Sequence, residues 1–152
     1  KPTGSGGTNY FIYCQKDDTN LKMRVLQNGN LQNANNSYSG TSDVKLKENI
    51  VDANSQWDDI KSLRVRNFNF KDDPDKIKML GVVAQEAEVV SAGLVESDND
   101  IEVDETTGEG KVVGTTKFVK YSILYMKAVK CLQEAQARIE TLETEVAALK
   151  GS

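Results

Sequence analysis

The chain has 152 residues, 38% of them hydrophobic, and a net charge of −4: a size for one domain or two small ones, with a modest apolar supply for a single compact core. Residues 1–41 carry four Lys/Arg against two Asp, leaving fifteen of the 19 basic and twenty-one of the 23 acidic residues to 42–152, so neither part reads as a nucleic-acid binder. There is no histidine, no apolar run near the length of a membrane span and no signal-like start, so the expectation is a soluble protein without membrane insertion.

Gly4-Ser5-Gly6-Gly7 reads as flexible chain, and Tyr10-Phe11-Ile12-Tyr13-Cys14 as a short strand. After the polar turn at 16–20, Leu21-Lys22-Met23-Arg24-Val25-Leu26 alternates apolar and basic residues, the period of a half-buried strand, and Asn28-Gly29 supplies a tight turn. Residues 30–40 offer only Leu31, Ala34 and Tyr38 as apolar groups, too few to fold alone. Two readings stay open there: a disordered linker, or the end of an intertwined β shaft whose strands pair across subunits.

The sequence changes character at Ser42-Asp43-Val44-Lys45-Leu46-Lys47-Glu48-Asn49-Ile50. A serine hydroxyl is a poor nucleophile until a base takes its proton, and without histidine the usual partner that remains is lysine. Ser42 and Lys47, five residues apart at this junction, are therefore a candidate self-cleavage pair, although on the spacing alone a solvated turn is the better description. Cys14 and Cys131 are far apart and lack a Cys-x-x-Cys pattern, so free thiols and no metal or redox centre are expected.

Downstream, a short amphipathic helix is predicted over 55–63, and Arg64 to Phe70 alternates as a strand. Its period sets Val65 and Phe68 on opposite faces, so either a bulge intervenes or one of them is exposed. Asp72-Asp73-Pro74-Asp75 is a turn, Met79 to Val83 a buried strand, and Ala84 to Val90 a helix ended by Gly93. Asp98, Asp100, Glu102, Asp104 and Glu109 match the ligand spacing of a calcium loop, but Val103 stands where the sharp turn needs glycine. The alternation of Ile101 and Val103 with acidic neighbours fits a hairpin returning through Gly108-Glu109-Gly110 to Lys111-Val112-Val113 instead.

The last segment is the clearest. Leu132, Ala135, Ile139, Leu142, Val146 and Leu149 follow an unbroken 3-4 spacing, the seam of a coiled coil, and Tyr121, Tyr125 and Ala128 continue its phase upstream. A parallel partner in register would set Arg138 opposite Glu143 and Glu145 opposite Lys150, both attractive. Ile123, Leu124 and Met126 lie off the seam, free to pack on the globular part. Dimer and trimer are equally compatible with these residues.

Ser42-Asp43, Leu46-Lys47 and Asn49-Ile50, then Gly81-Val82-Val83-Ala84-Gln85-Glu86, then Tyr121-Ser122-Ile123-Leu124 leading into the heptads, resemble the intramolecular chaperone auto-processing domain, the peptidase S74 family found at the C-termini of phage tail fibres, tailspikes and endosialidases. The resemblance spans residues 42–152. It implies an α+β architecture: residues 1–41 as the β-rich distal end of an intertwined trimeric shaft or receptor-binding tip, 42–120 as a small mixed α/β globular chaperone domain, and 121–150 as a helix in a parallel trimeric coiled coil. It further implies a homotrimer that folds the fibre shaft, its client and substrate, and then cuts itself off once, with no cofactor. Ser42 would be the nucleophile and Lys47 the base, which requires an uncharged amine. Asp43 and Gln85 would be supporting groups, and the Thr41–Ser42 bond is preferred over the bond after Ser42. Lys45 falls on the other face if the segment is extended. The mature fibre would stay in the virion and meet a host surface receptor, and the released chaperone would remain in the host cytoplasm. The competing expectation is a non-cleaving trimeric adhesin tip with a coiled-coil anchor.

Overall fold

The computed structural model describes residues 10–151, so the glycine-rich stretch at 4–7 lies outside the described residues. The chain divides into two compact units between Ile50 and Val51.

In the first unit β1 (Tyr10–Gln15), β2 (Leu21–Leu26) and β3 (Leu31–Asn33) form an antiparallel sheet in chain order. β1 and β2 lie where the residue patterns placed them. Their turn is closed by Lys16 N–H donating to the Asn20 carbonyl at 3.0 Å and by Thr19 N–H donating to Asp17 Oδ1 at 3.2 Å. At the second turn Gly29 takes φ 86°, a left-handed conformation that costs glycine little, and Asn28 Oδ1 accepts from Asn30 N–H at 3.0 Å. β3 falls in the stretch left open between linker and shaft strand, and its pairing is within the chain rather than across subunits. Although poor in apolar groups, Leu31–Asn33 pairs with Met23–Val25, and Arg24 Nε donates to Gln32 Oε1 at 2.7 Å across the pair. Both edges of β2 are thus filled from its own chain, which leaves the outer edges of β1 and β3 for any pairing between subunits. Leu26 is the buried apolar residue of this sheet, whereas all of β1 is exposed.

The second unit runs α1 (Trp57–Ser62), β4 (Arg66–Phe68), β5 (Met79–Gly81), α2 (Ala84–Val90), β6 (Val95–Val103), β7 (Gly110–Val119) and α3 (Tyr121–Lys150), an α+β arrangement with β4–β5 and β6–β7 as separate antiparallel pairs. Its core is small: Ala87 on α2 and Leu94 in the following 3-10 turn are fully buried. The Leu94 carbonyl accepts Lys120 N–H at 2.8 Å, which fixes the corner where β7 becomes α3.

Three local expectations are corrected. β4 covers only the middle of the expected strand, with Phe68 half-buried and Val65 and Phe70 exposed. β5 is not buried, since Leu80 is 70% exposed: a two-stranded sheet has no second layer to cover that face. Gly93 does not end α2. Ser91 does, turning extended at φ −154° while its N–H still donates to the Ala87 carbonyl at 2.8 Å. Gly81 has a packing reason: a Cβ there would lie 3.0 Å from the Tyr121 hydroxyl and 3.3 Å from the Phe68 ring.

The β6–β7 hairpin absorbs the acidic run. Asp104 Oδ1 accepts Thr106 N–H at 2.8 Å and Thr107 N–H at 3.0 Å, which lowers its carboxyl pKa, and Gly108 at φ 74° completes the turn. Glu86 on α2 takes a two-pronged contact from Arg66 of β4, at 2.6 and 3.0 Å, with Arg64 at 3.6 Å. These bonds hold the Glu86 carboxyl below its usual range. Lys117 of β7 pairs with Glu88 of α2.

α3 has 30 residues, a rod of about 45 Å. Its first half docks on α1. Lys127 Nζ donates to Asp59 Oδ2 at 2.7 Å and to Gln56 Oε1, Ser55 Oγ donates to Glu134 Oε2 at 3.0 Å, and the Arg138 guanidinium lies 5.0 Å over the Trp57 ring. Half-buried Leu124, Lys127, Cys131 and Glu134 recur at helical spacing on this docking stripe, and off-seam Met126 stays exposed. Of the seam beside that stripe, Ala135 is half-buried while Leu132, Ile139, Leu142 and Val146 are exposed. Both cysteines are free thiols.

Candidate functional site

The junction segment is not extended. Val44–Leu46 forms a single 3-10 turn, closed by Leu46 N–H to the Asp43 carbonyl at 3.1 Å and Lys47 N–H to the Val44 carbonyl at 3.0 Å. Asp43 caps it, Oδ1 accepting Lys45 N–H at 3.0 Å, as a short polar side chain does at a helix start. Asn49 follows at φ 53°, a left-handed conformation that asparagine tolerates better than most residues.

The turn folds Lys47 back onto Ser42. Lys47 Nζ donates to Ser42 Oγ at 2.7 Å, so two predicted site residues that sit five apart in sequence meet in space. Acting as base, the amine would accept the hydroxyl proton along the same line. Both residues are exposed.

Lys45 falls elsewhere for a different reason than the one expected of an extended segment. Its Nζ lies 3.4 Å from Asp43 Oδ2, so the turn sorts two lysines onto two acceptors, Lys45 to the carboxylate and Lys47 to the hydroxyl. Residue types alone did not show this division. The Asp43-Val44-Lys45 spacing of a side-chain-capped turn was the signal that carried it. Gln85 belongs to the other compact unit, exposed in the first turn of α2. Among the described residues no group of three or more histidine, cysteine, aspartate or glutamate side chains is placed to hold a metal ion, and no helix is long and apolar enough to cross a membrane.

Residues 42–96 match the model of the Peptidase_S74 family, the chaperone of endosialidase, and the match begins at Ser42. The family is the one the sequence blocks resemble, and the match takes in the first two of them, at Ser42–Ile50 and Gly81–Glu86. The fold is similar to that of a solved novel intramolecular chaperone, at TM-score 0.51 and 22% identity over 64% of this chain and 99% of that one. A second solved structure, the carboxy-terminal domain of the bacteriophage T5 L-shaped tail fibre with its intramolecular chaperone domain, aligns at TM-score 0.44 and 16% identity over 84% of this chain and 41% of that one. No curated protein matches the chain.

Proposed function

We propose, with the family match over residues 42–96 as premise, that the chain is an intramolecular chaperone joined to the end of the phage tail fibre it folds, and that it releases itself by one cut at Ser42. The observation that carries this reading is the 2.7 Å contact of Lys47 Nζ with Ser42 Oγ at the first residue of the match.

Lys47, as neutral amine, takes the hydroxyl proton while Ser42 Oγ attacks the Thr41 carbonyl carbon. The Thr41–Ser42 C–N bond then breaks, the proton returns from Lys47 to the departing Ser42 amine, and an ester joins Thr41 to Ser42 Oγ. Water hydrolyses that ester, leaving a Thr41 carboxylate and Ser42 as a new N-terminus. The attacked bond is in the same chain, so proximity stands in for substrate binding and each molecule reacts once. Gln85 is assigned as donor to the developing oxyanion.

Assembly arms the reaction. In the single chain the pair is exposed, whereas a base must be neutral, the form that burial favours. A homotrimer zipped along the exposed seam of α3 would gather three fibre ends and cover the pair. Residues 1–41 then remain on the virion fibre, directed to a host receptor, and 42–152 are left in the host cytoplasm.

The test is expression of the parent, Ser42→Ala and Lys47→Arg, with light scattering to read the oligomer. The parent is expected to separate into a small and a large piece under denaturing conditions, and the large piece to start at Ser42. Both variants should stay whole as trimers, because guanidinium is no base at neutral pH. A parent that runs as one uncut band would favour the non-cleaving adhesin tip. An N-terminus at Asp43 would move the cut to the other side of Ser42.

A further inference from the structure

The dyad has a third member by geometry. The carboxylate of Asp43 is one residue from Ser42, and it is the strongest acceptor an ammonium in this turn could find. Left unpaired it would act on Lys47 in two harmful ways: it would draw Nζ away from the hydroxyl, and it would favour the charged, non-basic amine. In the turn Lys45 Nζ sits 3.4 Å from Asp43 Oδ2 while Lys47 Nζ stays 2.7 Å from Ser42 Oγ, so the carboxylate is met by Lys45 and Lys47 is not drawn from the hydroxyl. The same carboxyl group cannot be dispensed with, because Oδ1 holds the turn through Lys45 N–H at 3.0 Å. Asp43 is thus needed as a cap and unwelcome as a charge.

We propose that Lys45 is a positioning residue that neutralises the Asp43 carboxylate, so that the cap of the turn is kept while Lys47 is left to Ser42 as a base. The assignment rests on the Ser42–Lys47 reading above and adds to it a reason for the second lysine. The charged groups near Lys47 on its own segment are Asp43, Lys45 and Glu48. Among the described residues, no hydrogen bond or ion pair brings a charged group from another element to Lys47.

The experiment follows self-cleavage of the full chain against pH in the parent and four variants: Lys45→Gln, Lys45→Arg, Asp43→Asn and Asp43→Asn with Lys45→Gln. A base must lose its proton to work. Lys45→Gln leaves the carboxylate unopposed and should move the rising limb of the profile up by roughly one pH unit. Lys45→Arg keeps the charge and should restore the parent limb. Asp43→Asn keeps an acceptor for the cap and leaves Lys45 cationic, so its limb should move down, and the double variant should return near the parent. The Lys45→Gln shift should also shrink in 1 M salt, where exposed charges act over only about 3 Å.

A fall in rate by the same factor at every pH, or a double variant that keeps the shift of Lys45→Gln, would overturn the assignment and reduce Lys45 to a structural residue. Should Lys45→Gln lose the helical circular dichroism of the parent, Asp43→Asn decides alone: a limb that does not move down overturns the proposal. A parent that never cleaves removes the dyad itself, and Lys45 with it. That failure is distinct, because it appears before any variant is compared.

Discussion

The two halves of α3 share one heptad pattern and meet opposite circumstances. The longer first part, up to Arg138, is held by its own chain through Lys127, Glu134 and Arg138, while the remainder presents Ile139, Leu142 and Val146 outward. The difference is not in the seam, which continues unchanged through both. It lies in the neighbouring stripe, where the first half carries residues that α1 can grip. A helical segment of a dozen residues is marginal in water without packing, so under the proposed trimer the second half is the part a partner would steady.

The sharpest break in this contrast comes from Leu142→Asp. It places a charge in the seam of the unsupported half. Light scattering should show loss of the oligomer, far-UV circular dichroism should show fraying, and self-cleavage should fall by more than tenfold if assembly arms the dyad. Cleavage at parent rate by a monomer would separate the reaction from assembly. A smaller effect is expected at the supported half. Trp57→Ala removes the ring under Arg138 and should cost about 2 kcal/mol, read as a drop in melting temperature with the oligomer retained. It also frees Arg138, whose expected cross-chain partner Glu143 competes with the ring.

The least effect is a pH response confined to the docked region. Lys127 lowers the Asp59 carboxyl, chiefly through their hydrogen bond, and Arg66 lowers that of Glu86. A carboxyl depressed in the folded state contributes stability that is complete above the ordinary carboxylate range and is lost as pH falls through the lowered value. On acidification the Trp57 fluorescence should change before the helical signal of the second half does. Simultaneous loss would mean that the two halves melt as one.

Strong local signals were legible in the sequence: β2 lies where alternation put it, α3 where heptad spacing did, and β1 and α2 where a β-favouring run and a short helix were read. Features set by context were not. β3 is three residues of mostly polar chain made a strand by the free edge of β2, and Met79-Leu80 looks like core yet lies in a sheet with nothing above it. The missing histidine made Ser42 and Lys47 a candidate pair, and it was the family resemblance that implied their roles. Neither supplied the 3-10 turn that joins them, because a single turn of that kind has no period to detect.

That turn is the one piece of regular structure between residues 36 and 56, a stretch exposed at every position up to Ser55. Its two lysines are therefore open to trypsin-like enzymes in any crude extract, which would sever the chain after Lys45 or Lys47 and yield two pieces nearly the size of those the proposed self-cleavage would give. The fragments differ by a few residues at their ends. Intact mass rather than gel mobility is what tells one from the other, and work with this chain should include inhibitors of such enzymes from the moment of lysis.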